Sequence, residues 1–255
     1  MLKQVQHDEW EVSMAKIGII GSEGRMGLAL AEAIVAAGHE CSGGVDKGGD
    51  ASNLAAGSDA LVDFSAPVAL QDNLKAASAA GIPMLVGTTG LDDMHFAAIE
   101  EAAQTIPVLQ TGNTSLGVTL LAHLVEEAAS KLGSDWDIEI VEMHHRMKVD
   151  APSGTALLLG QAAAKGRGHS LVANMESGRH GHTGKRSAGA IGFAALRGGT
   201  IAGEHSVYLA GEQERIQLTH LAENRSIFAN GAVKGASWLI GKEPGRYAMT
   251  DVLGL

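Results

Sequence analysis

Lys16-Ile17-Gly18-Ile19-Ile20-Gly21-Ser22-Glu23-Gly24-Arg25-Met26-Gly27 is an apolar run that ends in a glycine turn and opens directly into a helical pattern. Beyond the turn, Met26, Leu30, Ile34 and Ala37 recur at helical spacing over residues 25–37, and Gly38 is placed to end the helix. Such a turn brings backbone N–H groups and the positive end of a helix against a pyrophosphate, and glycine is needed where a side chain would hold the phosphate away. Gly21, Ser22, Glu23, Gly24, Arg25 and Met26 are therefore candidate cofactor contacts. Glu23 stands where the second glycine of G-x-G-x-x-G is expected. An isolated glycine turn is more often structural. Its position after the first strand of an alternating chain favours the phosphate reading.

The alternation continues downstream. A short strand is expected before Asp46, then ALVDF at 60–64, a helix ending near Gly81 and PMLV at 83–86. A helix around 92–105 and PVLQ at 107–110 follow. Strands alternating with helices and few hairpin signals predict a parallel sheet covered on both faces, an α/β fold of the Rossmann-type doubly wound kind. Asp46-Lys47 falls about 20 residues past the glycine turn, where a carboxylate can accept hydrogen bonds from the adenosine ribose of NAD. A lysine beside it can pair with the extra phosphate of NADP, so both coenzymes are expected to bind. The alternative is an ordinary exposed turn. Gly87, Thr88 and Thr89 follow the fourth strand, and Thr111, Gly112, Asn113 and Thr114 follow the fifth. Loops at the carboxyl ends of parallel strands line the ligand crevice, which makes these residues further cofactor candidates.

After about residue 113 the rhythm changes. A helix is expected over residues 116–132, a strand over 137–145 and another helix from near Ser153. Strand-like stretches at 190–196, 201–209 and 214–221 look like an antiparallel sheet with an open face. They define a second α+β domain whose open sheet is mixed or antiparallel. A last helix over 227–240 is suited to docking back on the first domain. The expected division is 14–112 with 226–255 for dinucleotide binding, and 113–225 for substrate binding and oligomerisation. Residues 1–13 are polar and read as a weakly ordered extension, with Met14 as the functional start.

Composition narrows the function classes. The 255 residues carry a net charge of -10, which argues against nucleic acid as the main partner. An anionic metabolite would then need a local cationic pocket. A single cysteine, Cys41, excludes an intrachain disulfide and suits a reducing cytoplasm. No apolar run approaches 18 residues, which speaks against a membrane span.

The cationic pocket has one clear candidate. Glu142-Met143-His144-His145-Arg146-Met147-Lys148-Val149-Asp150-Ala151-Pro152-Ser153-Gly154-Thr155-Ala156 ends a strand and opens a helix. Pro152 biases Ala151 to an extended conformation, and Ser153 is a good N-cap. The free N–H groups around Gly154 and Thr155 would face two histidines, Arg146 and Lys148. That combination can hold a carboxylate and donate a proton. On residue types alone, a solvated basic turn is an equal alternative.

This block closely resembles the E-x-H-H-x-x-K-x-D-x-P-S-G-T-A signature of the 4-hydroxy-tetrahydrodipicolinate reductase family. The resemblance extends through G-x-x-G-R-M-G at 21–27, VDFSAP at 62–67, VGTTG at 86–90 and GNTSLGV at 112–118. It continues through GHTGKR at 181–186, IGFAALRGG at 191–199, GEH at 203–205 and FANGA at 228–232. It implies reduction of a cyclic dicarboxylate imine by NADH or NADPH in lysine and diaminopimelate biosynthesis, in a cytoplasmic homotetramer. It also implies His144 as the acid–base residue and Lys148 as the proton donor, with His145, Ser153, Gly154 and Thr155 holding the substrate carboxylates. Three departures from the family pattern stand out. They are Glu23 in the glycine turn, Thr114 where some members carry an aromatic residue, and a short connection between Asp46 and residue 60.

His180 and His182 flank Gly181, but no third ligand has metal-site spacing, so they read as part of a loop and no metal is expected. Trp136 and Trp238 read as packing residues. The competing functions are an amino-acid or imine dehydrogenase of the same two-domain plan, such as an aspartate dehydrogenase, and a non-catalytic NAD(P)H sensor. The HHxxK…PSGT block separates them from the reductase, because it calls for two carboxylates beside a cyclic imine.

Overall fold

The computed structural model describes residues 14–255, so the expectation for residues 1–13 lies outside the described residues. In chain order the elements begin β1 (Lys16–Ile20), α1 (Arg25–Ala36), β2 (Glu40–Val45), α2 (Ala51–Ala56), β3 (Ala60–Asp63), α3 (Pro67–Ala80), β4 (Met84–Val86), α4 (Asp93–Ala102) and β5 (Pro107–Gln110). They continue with α5 (Leu116–Leu132), β6 (Asp137–His144), α6 (Gly154–Gly166), α7 (Leu171–Asn174), β7 (Met175–Ser177), β8 (Ile191–Arg197), β9 (Gly203–Ala210) and β10 (Arg215–Ala222). The chain closes with α8 (Ser226–Leu239), β11 (Gly245–Tyr247) and α9 (Met249–Leu253). Two compact units result. One runs to Gly112 and resumes over Ala232–Ala248; the other is Asn113–Gly231 with Met249–Leu255.

The first unit holds a six-stranded sheet in the order β11-β5-β4-β3-β1-β2, every pair parallel. Every residue of β3 and β4 is buried, as expected of strands covered on both faces. Leu70 and Leu74 of α3 and Ile99 of α4 pack with Leu61, Met84 and Val108 into one cluster. Each such side chain contributes about 1.5–3 kcal/mol by leaving water. The strand order reverses at β1, which sits between β2 and β3. The carboxyl ends flanking that reversal are where open α/β sheets bind ligands. The short connection after Asp46 is filled by α2, whose start is capped by Asp50 accepting from the Ser52 N–H at 2.8 Å. The sixth strand, β11, escaped the sequence reading, because Gly245-Arg246-Tyr247 has no apolar alternation. Arg246 lies over the Phe96 ring and pairs with Glu100 of α4. Trp238 packs edge-on against Tyr247, with Lys242 over its ring.

The second unit holds a five-stranded sheet in the order β10-β9-β6-β8-β7. It is mixed: β10, β9 and β6 are antiparallel neighbours, whereas β6, β8 and β7 run parallel. Of the two expected arrangements the mixed one is realised: among the stretches at 190–196, 201–209 and 214–221, only the last two pair with each other, as antiparallel β9 and β10. β8 and β9 are consecutive in sequence, but β6 occupies the slot between them. Their connection therefore crosses the carboxyl end of β6, where Gly198 N–H donates to the His144 carbonyl at 2.9 Å and His145 N–H to the Ile201 carbonyl at 2.8 Å. Burial alternates residue by residue along β6 and β9. One face packs with α5 and α6 around Ile138, Ile140, Val207 and Leu209, with Trp136 at the edge, and the other stays half-exposed. The C-terminus also departs from expectation. Residues 249–255 belong to this unit, where α9 packs on α5, although the division expected from sequence put them with the first.

Candidate active site

At the reversal point of the first sheet, the glycine turn is held to β2 by the Gly21 N–H, which donates to the Val45 carbonyl at 2.8 Å. Gly21 has φ +85, and a Cβ there would meet the Phe64 carbonyl oxygen at 2.7 Å. Gly87 closely approaches the Phe64 ring, to which an added Cβ would come within 2.3 Å. Phe64 thus joins the turn after β1 to the turn after β4, a role the sequence did not signal. No side chain caps α1, whose N-cap is Gly24. The carboxylate of Asp46 accepts from the Glu23 N–H at 2.7 Å and the Lys47 N–H at 3.0 Å. These bonds, Glu23's first, hold its carboxyl below the usual carboxylate range. Glu23 and Asp46 are therefore tied through backbone rather than independent.

Thr88 is 4% exposed, and its hydroxyl donates to Asp63 Oδ1 at 2.9 Å. Asp63, itself buried, also accepts from the Ser65 N–H and hydroxyl and from the Asn73 amide. The Thr88 side chain is thus committed to the end of β3, while Thr89 is exposed. Thr111 is half-buried and Gly112 exposed at the end of β5.

In the second unit, Thr114 is buried and its hydroxyl donates to the Phe228 carbonyl at 2.7 Å. Asn113 donates to the Thr155 hydroxyl at 3.0 Å and accepts from the Ser115 N–H. Within the second unit, Asn113 thus joins the start of α5 to the start of α6. Ser153 caps that helix: its hydroxyl accepts from the Ala156 N–H at 3.1 Å. Gly154 and Thr155 contribute the orphan N–H groups that any helix start carries.

His144, the last residue of β6, is buried beside this helix start. Its Nδ1 lies 2.6 Å from Glu142 Oε2. Burial pushes its pKa down, assisted by Lys148 and Arg197 and opposed by Glu142. The imidazole is therefore neutral at pH 7. Lys148 follows a tight turn closed by its own N–H on the His145 carbonyl, and its ammonium pairs with Asp150 at 2.8 Å. His145 Nε2 accepts from Arg225 Nη2 at 3.1 Å, which makes its Nδ1 the protonated nitrogen. Arg146 is exposed, and its N–H bonds the Gly199 carbonyl. Three residues given no role by the sequence complete the cluster. They are Arg225 before α8, Arg197 at the end of β8 and His205 in β9.

His205 is 4% exposed, lies edge-on to His144 at 5.0 Å, and has Nε2 3.0 Å from the Ser153 hydroxyl. Burial, then the charge of His144, pushes its pKa down to about 4. Burial also lowers that of His220, its cross-strand partner on β10. An unfolded chain, with histidines near the ordinary value of about 6.5, binds these protons more tightly. The stabilisation is therefore complete above about pH 6.5 and is lost as pH falls through about 4. For His205 alone the drop is on the order of 3 kcal/mol. Melting temperatures taken from pH 7 to 4 are expected to fall more steeply for the wild type than for His205→Gln, even where the variant melts lower throughout.

Two family models match nearly the whole described chain: "Dihydrodipicolinate reductase, N-terminus" over residues 15–114 and "Dihydrodipicolinate reductase, C-terminus" over residues 117–253. The 4-hydroxy-tetrahydrodipicolinate reductase of Zymomonas mobilis is 54% identical over 250 residues, covering 95% of this chain and 98% of that protein. The enzyme of the same name from Acidiphilium cryptum is 51% identical over 241 residues, covering 94% and 98%. In fold, the chain matches a dipicolinate-bound dihydrodipicolinate reductase from Paenisporosarcina sp. TG-14 with a TM-score of 0.74 at 20% identity, covering 94% of this chain and 99% of the other. The chain belongs to the dihydrodipicolinate reductase family.

Proposed function

We propose that the protein reduces 4-hydroxy-tetrahydrodipicolinate to tetrahydrodipicolinate with NADH or NADPH, within lysine and diaminopimelate biosynthesis. The observation that carries this reading is the convergence of His144, Lys148 and the capped start of α6 at the carboxyl end of β6. The chain is also about half identical, over 94–95% of its length, to reductases of that name.

The residues present fit a dinucleotide. An uncapped α1 start and crowded glycines at 21 and 27 suit a pyrophosphate. Asp46 has used two of its roughly four acceptor sites on backbone, which leaves capacity for ribose hydroxyls. Gly21 to Met26, Asp46, Lys47, Gly87 to Thr89 and Thr111 to Thr114 are the proposed cofactor residues. In Thr88 and Thr114, whose hydroxyls are occupied, backbone groups would make the contact. Both coenzymes are expected to bind, with Asp46 serving NADH and Lys47 the 2′-phosphate of NADPH. Asp46→Ala is expected to weaken NADH about tenfold or more, and NADPH less. Calorimetric titration with each coenzyme checks this; equal losses would remove Asp46 from ribose recognition.

A bound nicotinamide supplies hydride to the substrate's conjugated imine. The chain supplies the rest. The Gly154 and Thr155 N–H groups and His145, backed by Arg225, hold the carboxylates. Lys148 carries the cation that stabilises the resulting negative charge and returns a proton, and His144, neutral at rest, exchanges protons at Nε2. Cytoplasmic location and a homotetramer built on the half-exposed face of the second sheet complete the proposal. No helix among the described residues is long and apolar enough to cross a membrane.

The test is oxidation of NADH or NADPH, followed at 340 nm, with substrate generated by dihydrodipicolinate synthase from pyruvate and aspartate semialdehyde. Synthase-dependent oxidation is expected. Its absence with both coenzymes, in protein that binds NADH, would move the assignment to another imine substrate or to a non-catalytic NAD(P)H sensor.

A further inference from the structure

Glu142 is 1% exposed, two residues before His144 on the same face of β6. A buried carboxylate is unfavourable unless its acceptors are filled. Here they are filled from three directions. Oε2 receives His144 Nδ1 at 2.6 Å and Arg197 Nη1 at 2.8 Å; Oε1 receives Arg197 Nη2 at 2.8 Å and the Ser153 N–H at 3.2 Å. Four donors meet the roughly four lone-pair sites a carboxylate offers. The bidentate pair with Arg197 of β8, whose other contacts are the Leu196 and Asp150 carbonyls, fixes the carboxylate plane. Burial opposes ionisation of Glu142, but the bonds from Arg197 and His144 outweigh it and hold the carboxyl below its usual range.

We infer that Glu142 is the positioning residue of the site, holding His144 in the Nδ1–H tautomer while anchoring the Ser153 turn at a fixed distance from it. The inference rests on the reductase reading and on His144 as its acid–base group. An ionised carboxylate has no proton to give, so the hydrogen in the 2.6 Å contact belongs to His144 Nδ1. The lone pair is then on Nε2, on the side of Gly203, where an added Cβ would come within 3.0 Å of that nitrogen. The same carboxylate receives the N–H of Ser153, the residue that caps α6. Proton exchange and carboxylate binding therefore share one buried anchor. The other groups facing His144 do not duplicate it. Lys148 and Arg197 are cations that oppose its protonation, and His205, edge-on from β9, has its Nε2 on Ser153.

Two measurements test the role. In wild-type protein, long-range ¹⁵N–¹H spectra of neutral His144 should show Nδ1 protonated and Nε2 bare; the opposite tautomer overturns the inference without reference to any variant. In Glu142→Gln the side-chain amide cannot serve all four donors, and the charge that favours His144 protonation is gone. Turnover is expected to fall at least ~100-fold with NADH Kd within ~2-fold, and His144 should give up its proton at lower pH. Wild-type turnover with an unmoved His144 titration overturns the inference. Where the variant fails to fold, the wild-type tautomer decides. Wild-type protein with the expected tautomer but no synthase-dependent oxidation would sink the reductase reading and leave the anchoring geometry standing.

Discussion

Lys148→Ala is expected to lower turnover of the synthase-supplied substrate by ~10²–10⁴-fold while leaving NADH Kd within ~3-fold. The split follows from where the residue sits. Lys148 belongs to the second unit, in the turn after β6, whereas the glycine turn, Asp46 and Gly87 belong to the first. Its ammonium is anchored by Asp150, and it is one of the cations that disfavour a proton on His144. Truncation therefore removes positive charge at the reacting end and no coenzyme contact proposed above. Lys148→Arg would separate the two duties assigned to this position. A guanidinium keeps the charge but does not release a proton near neutral pH, so partial turnover in the arginine variant would credit electrostatics. Turnover as low as in alanine would credit proton donation. If Lys148→Ala loses NADH affinity and keeps its turnover, the assigned role is wrong.

The candidate site was legible where chemistry and local chain direction coincide. His144, Lys148 and Ser153 lie within ten residues across one strand end and one helix start, so their convergence needs no long-range information. The same holds for the glycine turn. What the sequence hid came from elsewhere. Arg197 and His205 reach the site because β8 and β9 flank β6, an order that the antiparallel reading of these stretches did not contain. Nothing local marks a strand pair as split by a third strand. Arg225 follows β10 without a motif, and β11 is only three residues long with none of them fully buried, too short to show a period. Asp46 shows a subtler limit. Spacing marked it as a ribose ligand, but not that its carboxylate would hold the Glu23 N–H, which explains how a bulky residue is accommodated in the turn: Glu23 contributes backbone there, and its side chain is exposed.

Gly27→Ala is expected to have the largest effect on coenzyme binding, because its obstruction is backbone and cannot be relieved by a rotamer change. A Cβ at position 27 would lie 2.3 Å from the Gly21 carbonyl oxygen and 2.5 Å from two backbone atoms of Ser22. The first turn of α1 must then move away from the glycine turn, opening the concave backbone proposed to receive the pyrophosphate. Overpacking of this kind costs about 1–3 kcal/mol, occasionally more. In a protein of this size that corresponds to a fall in melting temperature of about 2–4 °C per kcal/mol. Coenzyme affinity should suffer more than stability does, since phosphate contacts depend on both the position and the direction of each N–H; an increase in NADH Kd of at least ~10-fold is expected. Gly57→Ala is the control, since it ends α2 outside the proposed coenzyme site, has φ -100, and an added Cβ there would meet only atoms at 3.8 Å. Fluorescence titration of NADH against both variants, with melting curves on the same samples, distinguishes the outcomes. Gly27→Ala with wild-type NADH affinity would mean that close approach of the α1 start to the turn is a packing requirement alone, and the pyrophosphate would have to be sought at another strand end.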